Sequence, residues 1–153
     1  MSTTGIPNKA SDFVVLEGVG VGPTASGLAP IDFIRHLPDG TNDTSAGSFW
    51  RVPKKSVLVV KEVDWQYDYA AAAGTLQILR LFVYNLTTPA NQFRAFESAI
   101  VLSPTGAGGG TFSMTNGFPV SPAAWIGVDM MPGPIGPPSG LQHLILRGFL
   151  IAA

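Results

Sequence analysis

The stretch that decides the fold is Ser56–Tyr67, SVLVVKEVDWQY. Its odd positions are Val57, Val59, Lys61, Val63, Trp65 and Tyr67, and its even ones Ser56, Leu58, Val60, Glu62, Asp64 and Gln66. Successive side chains of a strand point to opposite faces, so period-two alternation marks a half-covered strand and a continuous apolar run marks a doubly covered one. Val57–Val60 is such a run, and alternation sharpens after it. The spacing therefore predicts a strand covered on both faces at first and on one face later.

Working outward, further strand-like segments are Ile31–His36, Ser48–Val52, Thr75–Tyr84, Gln92–Leu102, Thr111–Thr115, Trp125–Met130 and Leu141–Ile151. Between them lie glycine-, proline- and Asx-rich stretches: 38–45, 53–55, 85–91, 103–110 and 132–140. Ala70–Ala73 with Gly74 is too short to stand as a helix and reads as a loop. Glycine and proline punctuate structure, because one supplies backbone conformations closed to other residues and the other lacks an N–H. About eight strands with turn signals between them describe an all-β chain, a β-sandwich of jelly-roll type, with an up-and-down barrel second. No fixed-period repeat is visible. Arg147-Gly148, inside the last strand, marks a candidate bulge.

Residues 1–29 read as an extended N-terminal arm and 30–153 as the sandwich domain. The arm is dense in glycine and proline but carries one apolar run, Phe13, Val14, Val15 and Leu16, which is a candidate partner-docking segment.

The bulk composition points the same way. The 153 residues are 46% hydrophobic and only 12% charged, with net charge −1, against a usual charged share of about 25%. Mean hydropathy is +0.29. A disordered chain would be poor in hydrophobes and rich in net charge. No apolar run approaches the ~20 residues of a membrane-spanning helix, so no membrane partner is expected and the apolar excess belongs to core and interface. A homo-oligomer follows, the alternative being a monomer with a very apolar core. The charge balance and absence of basic runs argue against direct nucleic-acid binding. There is no cysteine, which excludes disulfides, zinc–thiolate sites and a thiol nucleophile. Met1–Pro7 has neither the basic nor the apolar region of a secretory signal, so cytoplasmic synthesis is expected.

Chemistry-bearing patterns are few. The two histidines, His36 and His143, are far apart and lack carboxylates at metal-ligand spacing. Neither Ser48 nor Ser113 sits in a nucleophile elbow. Gly18-x-Gly20-x-Gly22 is followed by Pro23 and has no strand-to-helix context, so it is no dinucleotide loop. Asp39, Asn42 and Asp43 are oxygen donors of the kind calcium takes, but equally turn residues, and the turn is favoured. The expectation is a non-enzyme with no catalytic residue, metal or cofactor. The best ligand-binding candidate is DWQYDY, where Trp65, Tyr67 and Tyr69 flank Asp64 and Asp68, together with Trp125. Aromatics beside acceptors can stack on and bond a sugar ring, although strand aromatics more often pack in cores or interfaces.

One resemblance adds to this. Val52-Pro-Lys-Lys55 opening a valine-rich strand that ends Asp64-Trp65 is followed by a strand around Leu79-Arg80-Leu81, a glycine-rich middle and the ending Leu144-Ile-Leu-Arg-Gly-Phe-Leu150. In that order of features the chain resembles small bacterial and phage jelly-roll proteins. The resemblance implies a virion-surface role, as a capsid decoration (cement) protein or a fibre or spike domain. It implies an oligomer, a trimer favoured, and a major capsid or other virion protein as partner, gripped by the N-terminal arm. A carbohydrate- or receptor-binding module is the alternative.

Overall fold

The computed structural model describes residues 9–19, 28–29, 32–43, 50–67, 74, 76–84, 92–131 and 141–153. Among these residues, a 3-10 turn at Ala10–Asp12 is followed by ten strands: β1 (Phe13–Val19), β2 (Leu28–Ala29), β3 (Asp32–His36), β4 (Asn42–Asp43), β5 (Ser56–Tyr67), β6 (Leu76–Tyr84), β7 (Gln92–Val101), β8 (Gly108–Val120), β9 (Trp125–Met131) and β10 (Leu141–Ala152). They form two antiparallel sheets, a six-stranded one in the order β4-β3-β1-β10-β5-β8 and a four-stranded one in the order β2-β9-β6-β7. The all-β sandwich predicted from alternation is the architecture found.

The core lies between the sheets. Val14, Leu16, Leu58, Val60, Val63, Trp65, Leu144 and Leu146 of the larger sheet and Leu79, Leu81, Val83, Ile126 and Val128 of the smaller belong to one buried cluster. Each such side chain contributes about 1.5–3 kcal/mol through removal from water. Trp50 and Val52 join the cluster from a connection and not from a strand, against the strand predicted over Ser48–Val52. Their segment is held by backbone bonds instead: Val52 N–H to Ala124 C=O at 3.1 Å and Ala123 N–H to Val52 C=O at 2.8 Å.

β5 has the predicted bounds, but its alternation carries a phase change. Leu58 and Val60 face inward, and so do Val63 and Trp65, so one residue is gained between them. The β10 register shows where: Arg147 pairs with Glu62 and Gly148 with Val60, leaving Lys61 unpaired as a bulge. An extra residue in one strand flips every side chain beyond it to the other face. The expectation of a bulge at Arg147-Gly148 holds, with the extra residue on the neighbouring strand. Gly148 is required there by close approach, since a Cβ would stand 2.1 Å from the Val59 carbonyl oxygen.

The arm reading needs correction. Phe13–Val19 is β1, hydrogen-bonded between β10 and β3 in the middle of the six-stranded sheet. Val14 and Leu16 are each 1% exposed, so this run completes the domain's own core and is not free to lie along a neighbour. Leu28–Ala29 likewise pairs with β9. The rest of the proposed arm, residues 1–8 and 20–27, lies outside the described residues, as do residues 70–73, 85–91 and 132–140, for which loops were predicted. The loop predicted over 103–110 is shorter than expected, because Gly108–Gly110 already pair with Tyr67, Gln66 and Trp65.

Candidate functional site

The aromatic residues singled out from the sequence do not converge. Trp65 is 0% exposed and sits in the core; the Lys61 bulge turns it inward, so it presents no face to a ligand. Tyr67 ends β5 opposite Leu141 and Gly108, and Tyr69 lies outside the described residues. Trp125 opens β9 directly opposite Tyr84 of β6. Their rings stack at 4.4 Å between centroids and 15° between planes. Phe82 is the next ring, 6.4 Å from Tyr84. Buried Ile126 and Val128 alternate with Trp125 and Gly127, which puts the aromatic row on the outer face of the four-stranded sheet. Tyr84 leans across Gly127, where a Cβ would meet its ring carbon at 2.3 Å.

Beside this row stands an ion-pair cluster that sequence reasoning missed. Glu97 of β7 accepts from Arg80 Nε at 2.6 Å and from Arg94 Nη1. The hydrogen bond from Arg80, followed by that from Arg94, holds the Glu97 carboxyl below the usual carboxylate range. The signal was present in the alternation of β6, where Arg80, Phe82 and Tyr84 share the parity opposite to buried Leu79, Leu81 and Val83.

The outer face of the six-stranded sheet is divided in two. At one end a row crosses four strands: Phe13 of β1, Phe149 of β10, Val59 of β5 and Pro119 of β8 are successive register partners. Phe13 is 56% exposed, and the next row toward that end pairs Ile151 with Val57. Toward the other end the face becomes charged. Arg147 pairs with Glu62 and stands 3.4 Å from Asp64, while His143 stands 3.4 Å from the same Asp64. Thr111 donates to Asp64 and Ser113 to Glu62, each at 3.3 Å. On β1 and β3, Glu17 and His36 pair at 2.7 Å.

Chemically this is a ladder of paired polar side chains in which one guanidinium, Arg147, serves two carboxylates, Glu62 and Asp64. The Ser113 hydroxyl meets a carboxylate and not an imidazole, and His143 meets Asp64, so these contacts supply no hydroxyl–imidazole relay of the kind that activates a nucleophile. Among the described residues no group of three His, Asp or Glu is arranged to hold a metal ion. A shallow depression of about 370 Å³ lies at the far end of the ladder, lined by Asp64–Gln66 and Ala107–Thr111. Buried Arg35 turns inward from β3, donating to the Ser11 carbonyl at 2.7 Å and standing 5.9 Å from the Trp50 ring centroid. Carbonyl and ring quadrupole both favour the cation there.

No family model matches the chain, and a search of curated proteins returns no match.

Proposed function

We propose that this protein is a non-enzymatic structural protein that assembles with copies of itself, in the manner of a jelly-roll capsid decoration protein on a virion surface. The observation that carries the reading is the outward apolar end of the six-stranded sheet. An antiparallel sheet with one solvated face ordinarily reads apolar inward and polar outward. Here Phe13, Phe149, Val59, Val57 and Ile151 all point outward, and contiguous outward apolar surface marks contact sites.

The pairing order supports the jelly-roll part. With the β3–β4 hairpin set aside, eight strands pair from the outside of the sequence inward: β1 with β10, β2 with β9, β5 with β8 and β6 with β7. Folding a long antiparallel ribbon of four such nested pairs into two sheets gives this architecture, which is common in viral capsid and lectin domains. Attachment to a capsid lattice is the part that rests on resemblance. Light scattering behind a sizing column tests the assembly: a multiple of 16.0 kDa is the expected mass, and a monomer across a dilution series refutes it.

A second reading has its own observation. The stacked Tyr84–Trp125 pair, with Arg80, Arg94 and Glu97 alongside, offers apolar ring surface next to hydrogen-bonding groups, as sugar recognition requires. A glycan array with wild type and Trp125→Ala tests it. A hit lost in the variant supports carbohydrate binding, and a silent array removes it.

A further inference from the structure

We infer that the outer face of the six-stranded sheet is an isologous interface, covered by the same face of a second copy about a twofold axis running along the strands between β10 and β5. This rests on the self-assembly reading and assigns it a surface and a symmetry.

The sequence of β5 calls for such a cover. Val57–Val60 has the continuous apolar character of a strand covered on both faces, yet only Leu58 and Val60 reach the core cluster. Val59 faces out with Phe149 beside it. The face is also large enough. The twofold overlaps four strands, β1, β10, β5 and β8, which at ~4.8 Å spacing and about eleven residues at ~3.3 Å rise span about 700 Å², within the range per partner of a standard interface.

The charged side chains favour it too. Along the outward column of β10 stand His143, Ile145 and Arg147, and along that of β5 their register partners Gln66, Asp64 and Glu62. A twofold axis between these columns lays each strand over its counterpart's neighbour, so that β10 of one copy covers β5 of the other and the reverse. Arg147 then faces a second Glu62, Phe149 a second Val59 and Ile151 a second Val57. The apolar end meets the apolar end, and beyond it Arg147 meets a second carboxylate. The pairing is twofold, so it gives a dimer or an even-numbered assembly where the resemblance favours a trimer.

The test uses the full chain. Wild type should run at twice 16.0 kDa by light scattering. Phe149→Lys, which occurs twice in the interface, should weaken association on the order of a hundred-fold or more and run as a folded monomer, its melt lowered by the stabilisation that association supplied. Because the chain has no cysteine, single thiols report position cleanly. Val59→Cys should cross-link between copies with a bis-maleimide spanning the ~10 Å between packed sheets; Ala99→Cys, on the outer face of the other sheet, should not. Should Phe149→Lys fail to fold, the cross-linking pair decides alone. An oligomer whose Val59→Cys does not cross-link overturns the inference and leaves self-assembly standing, and so does a trimer. A wild-type monomer overturns both, whether the face is bare or covered by the chain's own residues.

Discussion

Gly148→Ala is the sharpest perturbation of this fold, because the clash it creates is with backbone. The new methyl carbon would start 2.1 Å from the Val59 carbonyl oxygen and 3.0 Å from the Val59 carbonyl carbon and the Val60 Cα. An ordinary C···O contact is about 3.3 Å, so β10 and β5 must part by about 1 Å at the bulge. Neither strand can give way alone. β10 is pinned by β1 on its other side, and β5 by β8. Overpacking of this kind costs about 1–3 kcal/mol, and stretching the two flanking ladder hydrogen bonds adds about 1 kcal/mol each. The expected loss is about 3–5 kcal/mol, which in a chain of this size lowers Tm by about 6–20 °C. Urea denaturation followed by tryptophan fluorescence measures it. A loss below about 1 kcal/mol would refute the close approach of the strands and, with it, the placement of the bulge.

Gly127→Ala makes the instructive contrast, since the added carbon meets the Tyr84 ring at 2.3 Å, and a ring can swing where backbone cannot. A cost of no more than about 1–2 kcal/mol is expected, with loss of the near-ultraviolet circular dichroism of the Tyr84–Trp125 stack; an unchanged spectrum counts against that packing. Deleting residues 1–29 removes β1 and with it Val14 and Leu16, so the truncated chain should be unfolded by circular dichroism. A folded truncation would restore the arm reading. Glu97, whose carboxyl is held low by Arg80 and then Arg94, stabilises the fold above the ordinary carboxylate pKa of about 4.3. That contribution disappears as pH falls through its lower folded value. Melts of wild type and Glu97→Gln should therefore differ at neutral pH and converge in acid, and a gap that widens in acid would reverse the sign.

The strands readable in advance were those whose side chains alternate. Ser56–Tyr67 kept its bounds, and β6, β7, β9 and β10 moved by a residue at an end, because alternation reports one covered face directly. β8 was underestimated, since Gly108–Gly110 have no side chains to alternate. Phe13–Val19 was misassigned to an arm because its glycine- and proline-rich neighbours outweighed a four-residue apolar run, and because its partner Phe149 stands at the far end of the chain. The candidate site was less legible still. Which of Trp65 and Trp125 faces out depends on strand phase, and in β5 that phase hangs on one bulged residue, Lys61. Apolar residues of both parities surround it, so the pattern alone does not locate the shift.

The pairing of β1 with β10 has a kinetic consequence. Of the described strands β1 is made first, and although β3 follows it closely, its other partner comes only after nearly every other strand has emerged, since Phe13 waits for Phe149 and Leu16 for Leu146. Ribbons closed between distant parts of a sequence fold slowly, because the loop entropy is lost before the contacts form. During that interval β10's place stands open and both β1 and β5 expose unpaired edges. Of the described strands, the last to be synthesised is thus the one that seals the larger sheet, and the yield of folded protein should respond more to what happens after residue 141 than to a pause between the earlier strands.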